Sequence, residues 1–181
     1  MTADLSAVFE AASDAQQMIL ECWIKTTTVS RAILGLYSTG LDYQVALTLS
    51  ASGELVVEYT DSGGTLTTHN TADVVNDGQW HHIVLDMANT NKAVYLDGVL
   101  GAITLTVPPD MHGLRHLHVG GYRGNRLFAG QIAHVAVTHC PTQTTSTMIT
   151  EFVETRYEAG TAAFAGEDAD VRVTRLARYG A

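Results

Sequence analysis

The stretch NDGQWHHIVLDM, Asn76 to Met87, sets an Asp-Gly pair, a tryptophan and two adjacent histidines directly before an apolar run. Asp77-Gly78 is a turn signal, and the residues after it have the two-residue period of a half-buried strand. On that period Trp80, His82 and Val84 share one face, while His81, Ile83, Leu85 and Met87 take the other. A tryptophan there can bury roughly 150–250 Å², and a histidine beside it can hydrogen-bond to a neighbouring strand or loop. The Trp-His-His run therefore predicts scaffolding rather than catalysis or metal binding.

The same alternation extends in both directions. MILECWIKT, DYQVALTLS, GELVVEYTD, KAVYL, VLGAITLTV, LRHLHVGG and GQIAHVAVTHC all read as strands of five to nine residues, separated by Ser52-Gly53, Ser62-Gly63-Gly64, Asn89-Thr90-Asn91 and Asp97-Gly98. Asp97-Gly98, two residues able to take positive φ between alternating runs, predicts a type I′ hairpin. Short strands with frequent turns and no long helical pattern predict an all-β, two-sheet antiparallel sandwich of 12 to 14 strands.

Beyond Pro141 the period changes. Ile149, Phe152, Val153, Arg156 and Tyr157 fall on one helical face, and Gly160 is a C-terminal stop. Residues 160–166 form a small-residue linker. In the tail beyond the linker, Glu167, Asp168 and Asp170 precede Arg172, Arg175 and Arg178, an order that complements a helix dipole and predicts a short second helix. The expected organisation is one domain over 1–159 and a linker with a helical tail over 160–181, the tail being a candidate contact between copies.

Composition narrows the function. Of 181 residues, 46% are apolar and 16% charged, as in a globular chain with a sizeable core. A net charge of -9, with only ten Lys and Arg, excludes a phosphate-neutralising surface and hence a nucleic-acid role. No run approaches the roughly 20 apolar residues of a membrane span, and the N-terminus has no signal-peptide pattern. Cys22 shares the inward parity of Met18, Leu20 and Ile24, whereas Cys140 shares the parity of Ile132, Ala136 and Thr138, opposite the inward set Ala133, Val135 and Val137, and both are expected to be free, packed thiols.

The segment from Asn76 to Ile103 resembles the central hairpin of laminin-G-like, concanavalin A-like jelly-roll domains, with its Asp-Gly-x-Trp-His opening and Tyr-x-Asp-Gly close. The similarity runs forward through LRHLHVGGYRGNRLFAGQIAHVAV and back to MILECWIKT, covering about residues 5–158. One position departs from it: the Gly-x-Ile strand is usually followed by an acidic pair, whereas Ile132 is followed by Ala133 and His134. More faintly, the tail resembles the continuation of minor tail proteins of actinobacterial phages that carry such modules. The resemblance implies a non-catalytic module in a virion tail or an extracellular protein, binding glycan or a cell-surface protein. The alternative is a structural or oligomerisation domain of a tail or fibre, without a ligand.

Relatives of this fold also imply calcium at the sandwich rim. Asp42, opening its strand, and Asp110, after the hairpin, occupy the matching positions, with carbonyls near Asp61-Ser62 to add oxygens. The loop GGYRGNRLFAG, 120–130, offers Tyr122, Arg123, Asn125 and Arg126, an aromatic ring, an amide and guanidinium groups suited to sugar faces and hydroxyls or to an acidic partner. His116 and His118 share one strand face, and His134 on the next strand is a candidate neighbour for a metal or a pH-sensitive surface. Hydrolase signatures are missing: the strand carboxylates Glu21, Glu54, Glu58 and Asp86 are scattered singly.

Overall fold

The computed structural model describes residues 2–4, 18–38, 44–60, 64–88, 92–104, 114–121, 126–140, 146–160 and 171–175. In chain order the strands are β1 (Thr2–Asp4), β2 (Met18–Lys25), β3 (Ala32–Ser38), β4 (Gln44–Leu49), β5 (Glu54–Thr60), β6 (Leu66–Val74), β7 (Trp80–Asp86), β8 (Ala93–Leu96), β9 (Val99–Thr104), β10 (Leu114–Val119) and β11 (Gln131–His139). Helix α1 (Ser146–Ala159) and β12 (Val171–Arg175) complete the order. The strands form two six-stranded sheets, ordered β1-β10-β3-β4-β5-β6 and β12-β11-β2-β7-β8-β9. Every pairing is antiparallel except β11 with β12. The all-β sandwich expected from the sequence is the fold.

Alternation explains the core. Met18, Leu20, Cys22 and Ile24 of β2 and Ile83, Leu85 and Met87 from β7 and its end point inward, meeting Leu34, Leu36, Val45, Leu47, Val57 and Tyr59 of the other sheet. Each such side chain contributes about 1.5–3 kcal/mol on burial. The other face of the second sheet carries a smaller cluster, where Ile149 and Val153 of α1 lie on Ile19, Val84, Tyr95 and Cys140. The two cysteines thus occupy opposite faces and form no disulfide.

Strands β3 and β6 carry no clear alternation signal, and neither is expected from the sequence. All of β3 is buried on both faces, whereas β6 is an edge strand with most residues exposed or half-buried.

Two expectations are corrected. Val171–Arg175 is a strand rather than part of a helix, and it pairs in parallel with β11 from Val135↔Val171 to His139↔Arg175. Its Val-Arg-Val-Thr-Arg run favours extended backbone, and α1 supplies the crossover that a parallel pairing requires. The acid-to-base order of the tail is no guide to a partner so distant in sequence.

The second correction lies in β11. A register shift between Ala133 and Val135 places His134, at φ 46°, in a bulge. Ile132, expected outward, packs against the main core with Val135 and Val137. Ala133, expected inward, pairs with Trp23 and so stands on the other side of that break. One extra residue inverts facing on its N-terminal side. It sits where the sequence departs from the acidic pair of its relatives.

Candidate ligand-binding rim and the buried polar cluster

The opening motif resolves into a clasp between two turns. Gly78, at φ 80°, closes the first turn with its N–H donating to the Thr26 carbonyl at 2.9 Å. His81 lies between Asp97, 2.8 Å from its Nδ1, and Asp77, 3.1 Å from its Nε2. Asp97 and Gly98 have φ of 51° and 82°, as a type I′ turn demands. The Asp97 carboxylate holds the His81 ring above its ordinary pKa, against the opposing effect of burial, and Asp77 adds to it. Trp80 is half-buried at the start of β7.

His82 faces the other way and is completely buried. Its Nε2 lies 3.1 Å from Glu21 Oε1 on the adjacent β2. The bulge in β11 brings His134 Nε2 to 3.4 Å from Glu21 Oε2, and Arg156 of α1 places its Nε 3.7 Å from the same oxygen. Three basic side chains thus surround one carboxylate between the sheet and the helix. Burial pushes the Glu21 carboxyl up, but the His134 and His82 imidazoles and the Arg156 guanidinium outweigh it and hold it at about 2. Trp23 stacks on His82 at 4.8 Å between ring centroids, and Tyr157 stacks on Trp23 at 6.0 Å.

By spacing alone Glu21 is a single, scattered carboxylate, and His134 groups with His116 and His118. The latter two stand on β10 in the first sheet, where His118 meets Tyr37 edge-on at 4.8 Å, so His134 is no neighbour of theirs. The expectation that His82 bonds to an adjacent strand holds. Which residue it meets there has no local signal, because β2 and β7 are 61 residues apart at this contact.

Of the rim loop between β10 and β11, Arg126 is described; Tyr122, Arg123 and Asn125 lie outside the described residues. Both ends of the loop are fastened. Gly120 N–H donates to Ile33 O at 2.7 Å, Phe128 N–H to Gly120 O at 3.1 Å, and Ala32 N–H to Arg126 O at 2.9 Å. Thr26 and Thr28 hydroxyls donate to Ala129 O at 2.6 and 3.1 Å. Arg126 itself reaches over the first sheet to Glu58 Oε1 at 2.9 Å, and Thr48 donates to that oxygen at 3.0 Å.

Asp42, Asp110 and Asp61-Ser62, the calcium candidates, also lie outside the described residues. Among the described residues no group of three His, Cys, Asp or Glu is arranged to hold a metal ion. No described helix is long and apolar enough to cross a membrane.

Solved structures of the same build have diverse contexts. Domains LG4-5 of the mouse laminin α1 chain match with a TM-score of 0.54 at 18% identity, over 75% of this chain and 38% of that one. This chain therefore spans well under half of that laminin structure. Domain 4 of an extracellular GH43 arabinanase from Geobacillus stearothermophilus, in complex with arabinotriose, matches at 0.58 and 15%, over 76% and 66%. A sialidase CBM40 module from Ruminococcus gnavus, bound to α2,3-sialyllactose, matches at 0.52 and 18%, over 75% and 81%. No curated protein sequence matches. The family model described as concanavalin A-like lectin/glucanases superfamily matches residues 5–145, the span that holds the histidine clasp and strands β2 to β11, and the chain belongs to that superfamily.

Proposed function

We propose that the chain is a non-catalytic recognition module that binds a glycan, or a protein on a cell surface, through the loop between β10 and β11. The observation that carries this reading is the Arg126–Glu58 ion pair with the backbone bonds around it, which fasten a glycine-rich loop to a rigid sheet at both ends. Such anchoring lowers the ordering cost of presenting Tyr122, Arg123 and Asn125 to a ligand. Two structurally similar modules hold oligosaccharides, which favours a glycan.

Glu21 and Glu58 argue against hydrolysis. Glu21 is surrounded by bases and kept ionised, the opposite of a general acid with a raised pKa. Glu58 is engaged by Thr48 and Arg126 on the other sheet. Neither is set up to act as one of a facing acid pair.

The reading extends to calcium at Asp42 and Asp110, and to a setting in a phage tail or a secreted multidomain protein. It is tested on a glycan array probed with and without calcium. Discrete hits that weaken in Arg126→Ala support it, and a blank array overturns its glycan form. Asp42→Ala should abolish any calcium-induced rise in melting temperature, and an unchanged rise removes the calcium assignment. A blank array together with a stable oligomer in light scattering, dissociated by deleting 167–181, would favour a structural role.

A further inference from the structure

The Glu21 cluster plays no part in the proposed ligand loop, whose Arg126 reaches over the other sheet to Glu58. Its charge is finely balanced. One carboxylate faces His82 on β7, His134 on β11 and Arg156 on α1. Among the described side chains, the other titratable or charged groups nearby are committed or distant, and the Cys22 thiol, next to Glu21 in β2, is buried in the main core and kept neutral by that burial. Asp97, in the turn beneath Tyr157, is engaged by His81 and by the His82 N–H. Asp86 on β7 and Tyr95 on β8 lie towards the first half of α1, and Glu154 and Glu158 are exposed.

The three basic partners are not equal. The His82 and His134 side chains are 0% and 2% exposed, whereas that of Arg156 is 35% exposed and stands farthest from Glu21. A proton added to either ring makes a buried cation that must keep Glu21, because it cannot reach water. Arg156 can reach water at little cost.

We propose that this cluster is an acid-sensitive latch on the last turn of α1: protonating His82 or His134 makes an imidazolium the counter-ion of Glu21, releases Arg156, and lets the helix end lift. Among the described residues, Arg156–Glu21 is the ion pair joining α1 to the sheet. Ile149 and Val153 hold the helix as far as its middle through apolar contact and do not titrate, which leaves the last turn to the ion pair. Tyr157 loses its seat on Trp23 and His82 when its neighbour leaves, so a stacked tryptophan–histidine surface is uncovered.

The test is amide hydrogen exchange on the whole chain, expressed as protection factors, with imidazole NMR titration of the same sample. From about pH 7 to about pH 5 protection over 155–160 should fall about tenfold, while β2 and β7 hold. Arg156→Gln should show the low protection at both values and lose the pH dependence. His134→Asn, chosen because Asn tolerates the left-handed φ at that site, should reduce the fall. Protection unchanged by acid in the wild type, pH dependence intact in Arg156→Gln, or rings of His82 and His134 that both fail to titrate in this interval would each overturn the latch.

Discussion

Asp97 grips two successive residues of β7 at once: Oδ2 lies 2.8 Å from His81 Nδ1, and Oδ1 accepts the His82 backbone N–H at 2.8 Å. The turn closing the second strand of the hairpin is thereby tied to the strand that opens it.

The first prediction concerns the His81 end of this contact. Both ring nitrogens face carboxylates, which suits the imidazolium, whose two N–H groups both donate. Its pKa is raised in the folded chain, first by Asp97. The stabilisation is complete below the ordinary histidine value of 6.5 and fades as pH rises through the raised folded value. Denaturation midpoints measured from about pH 6 to about pH 9 should decline, and Asp97→Asn should flatten that decline. An unchanged slope in the variant would assign the effect elsewhere.

Glu21 has the opposite sign. Its pKa stands at about 2 against an ordinary 4.5, so its contribution is present above 4.5 and is lost as pH falls towards 2. Glu21→Gln takes the anion from Arg156, which regains water, and a hydrogen-bond partner from the buried His82, and should cost about 1–3 kcal/mol at neutral pH. The acid limb of the stability profile should flatten in the same variant. Equilibrium urea unfolding measures both effects.

Gly98 is required twice over. Its φ is 82°, and a Cβ there would stand 3.0 Å from Tyr157 Cδ1. Gly98→Ala should therefore lose about 1–2 kcal/mol and weaken the near-ultraviolet circular dichroism of the Trp23–Tyr157 stack. An unstrained variant with wild-type dichroism would contradict this packing.

The thiols should be silent in the native protein. Burial pushes Cys140 up to about 12 and Cys22 higher still, with Asp86 and Glu21 respectively adding to the effect. Neither presents a thiolate at neutral pH. Ellman's reagent should label neither cysteine until the chain unfolds, and then both. A fast-reacting thiol in the folded chain would mean that one of these faces opens.

The sequence is most informative where structure is local. Asp97-Gly98 announces its turn, the facing of Ile83, Leu85 and Met87 comes from period two, and the apolar stripe from Ile149 to Tyr157 marks α1. It is least informative where distant strands decide. The bulge at His134 inverts the facing of Ile132, and nothing near Ile132 indicates that. Glu21 looks solitary until β7 and β11 flank β2. Val171–Arg175 becomes a strand because β11 has a free edge for it. Of the rim residues, Arg126 alone is placed, and its partner Glu58, 68 positions away, could not be paired with it by spacing.

The edge positions of β1 and β12 have a mechanical consequence. If the chain is strung between neighbours in a fibre or a multidomain array, tension along it reaches these two outermost strands first. They can peel away while the ten strands between them stay interlocked, so the module would yield in steps, lengthening under load before its interior gives way.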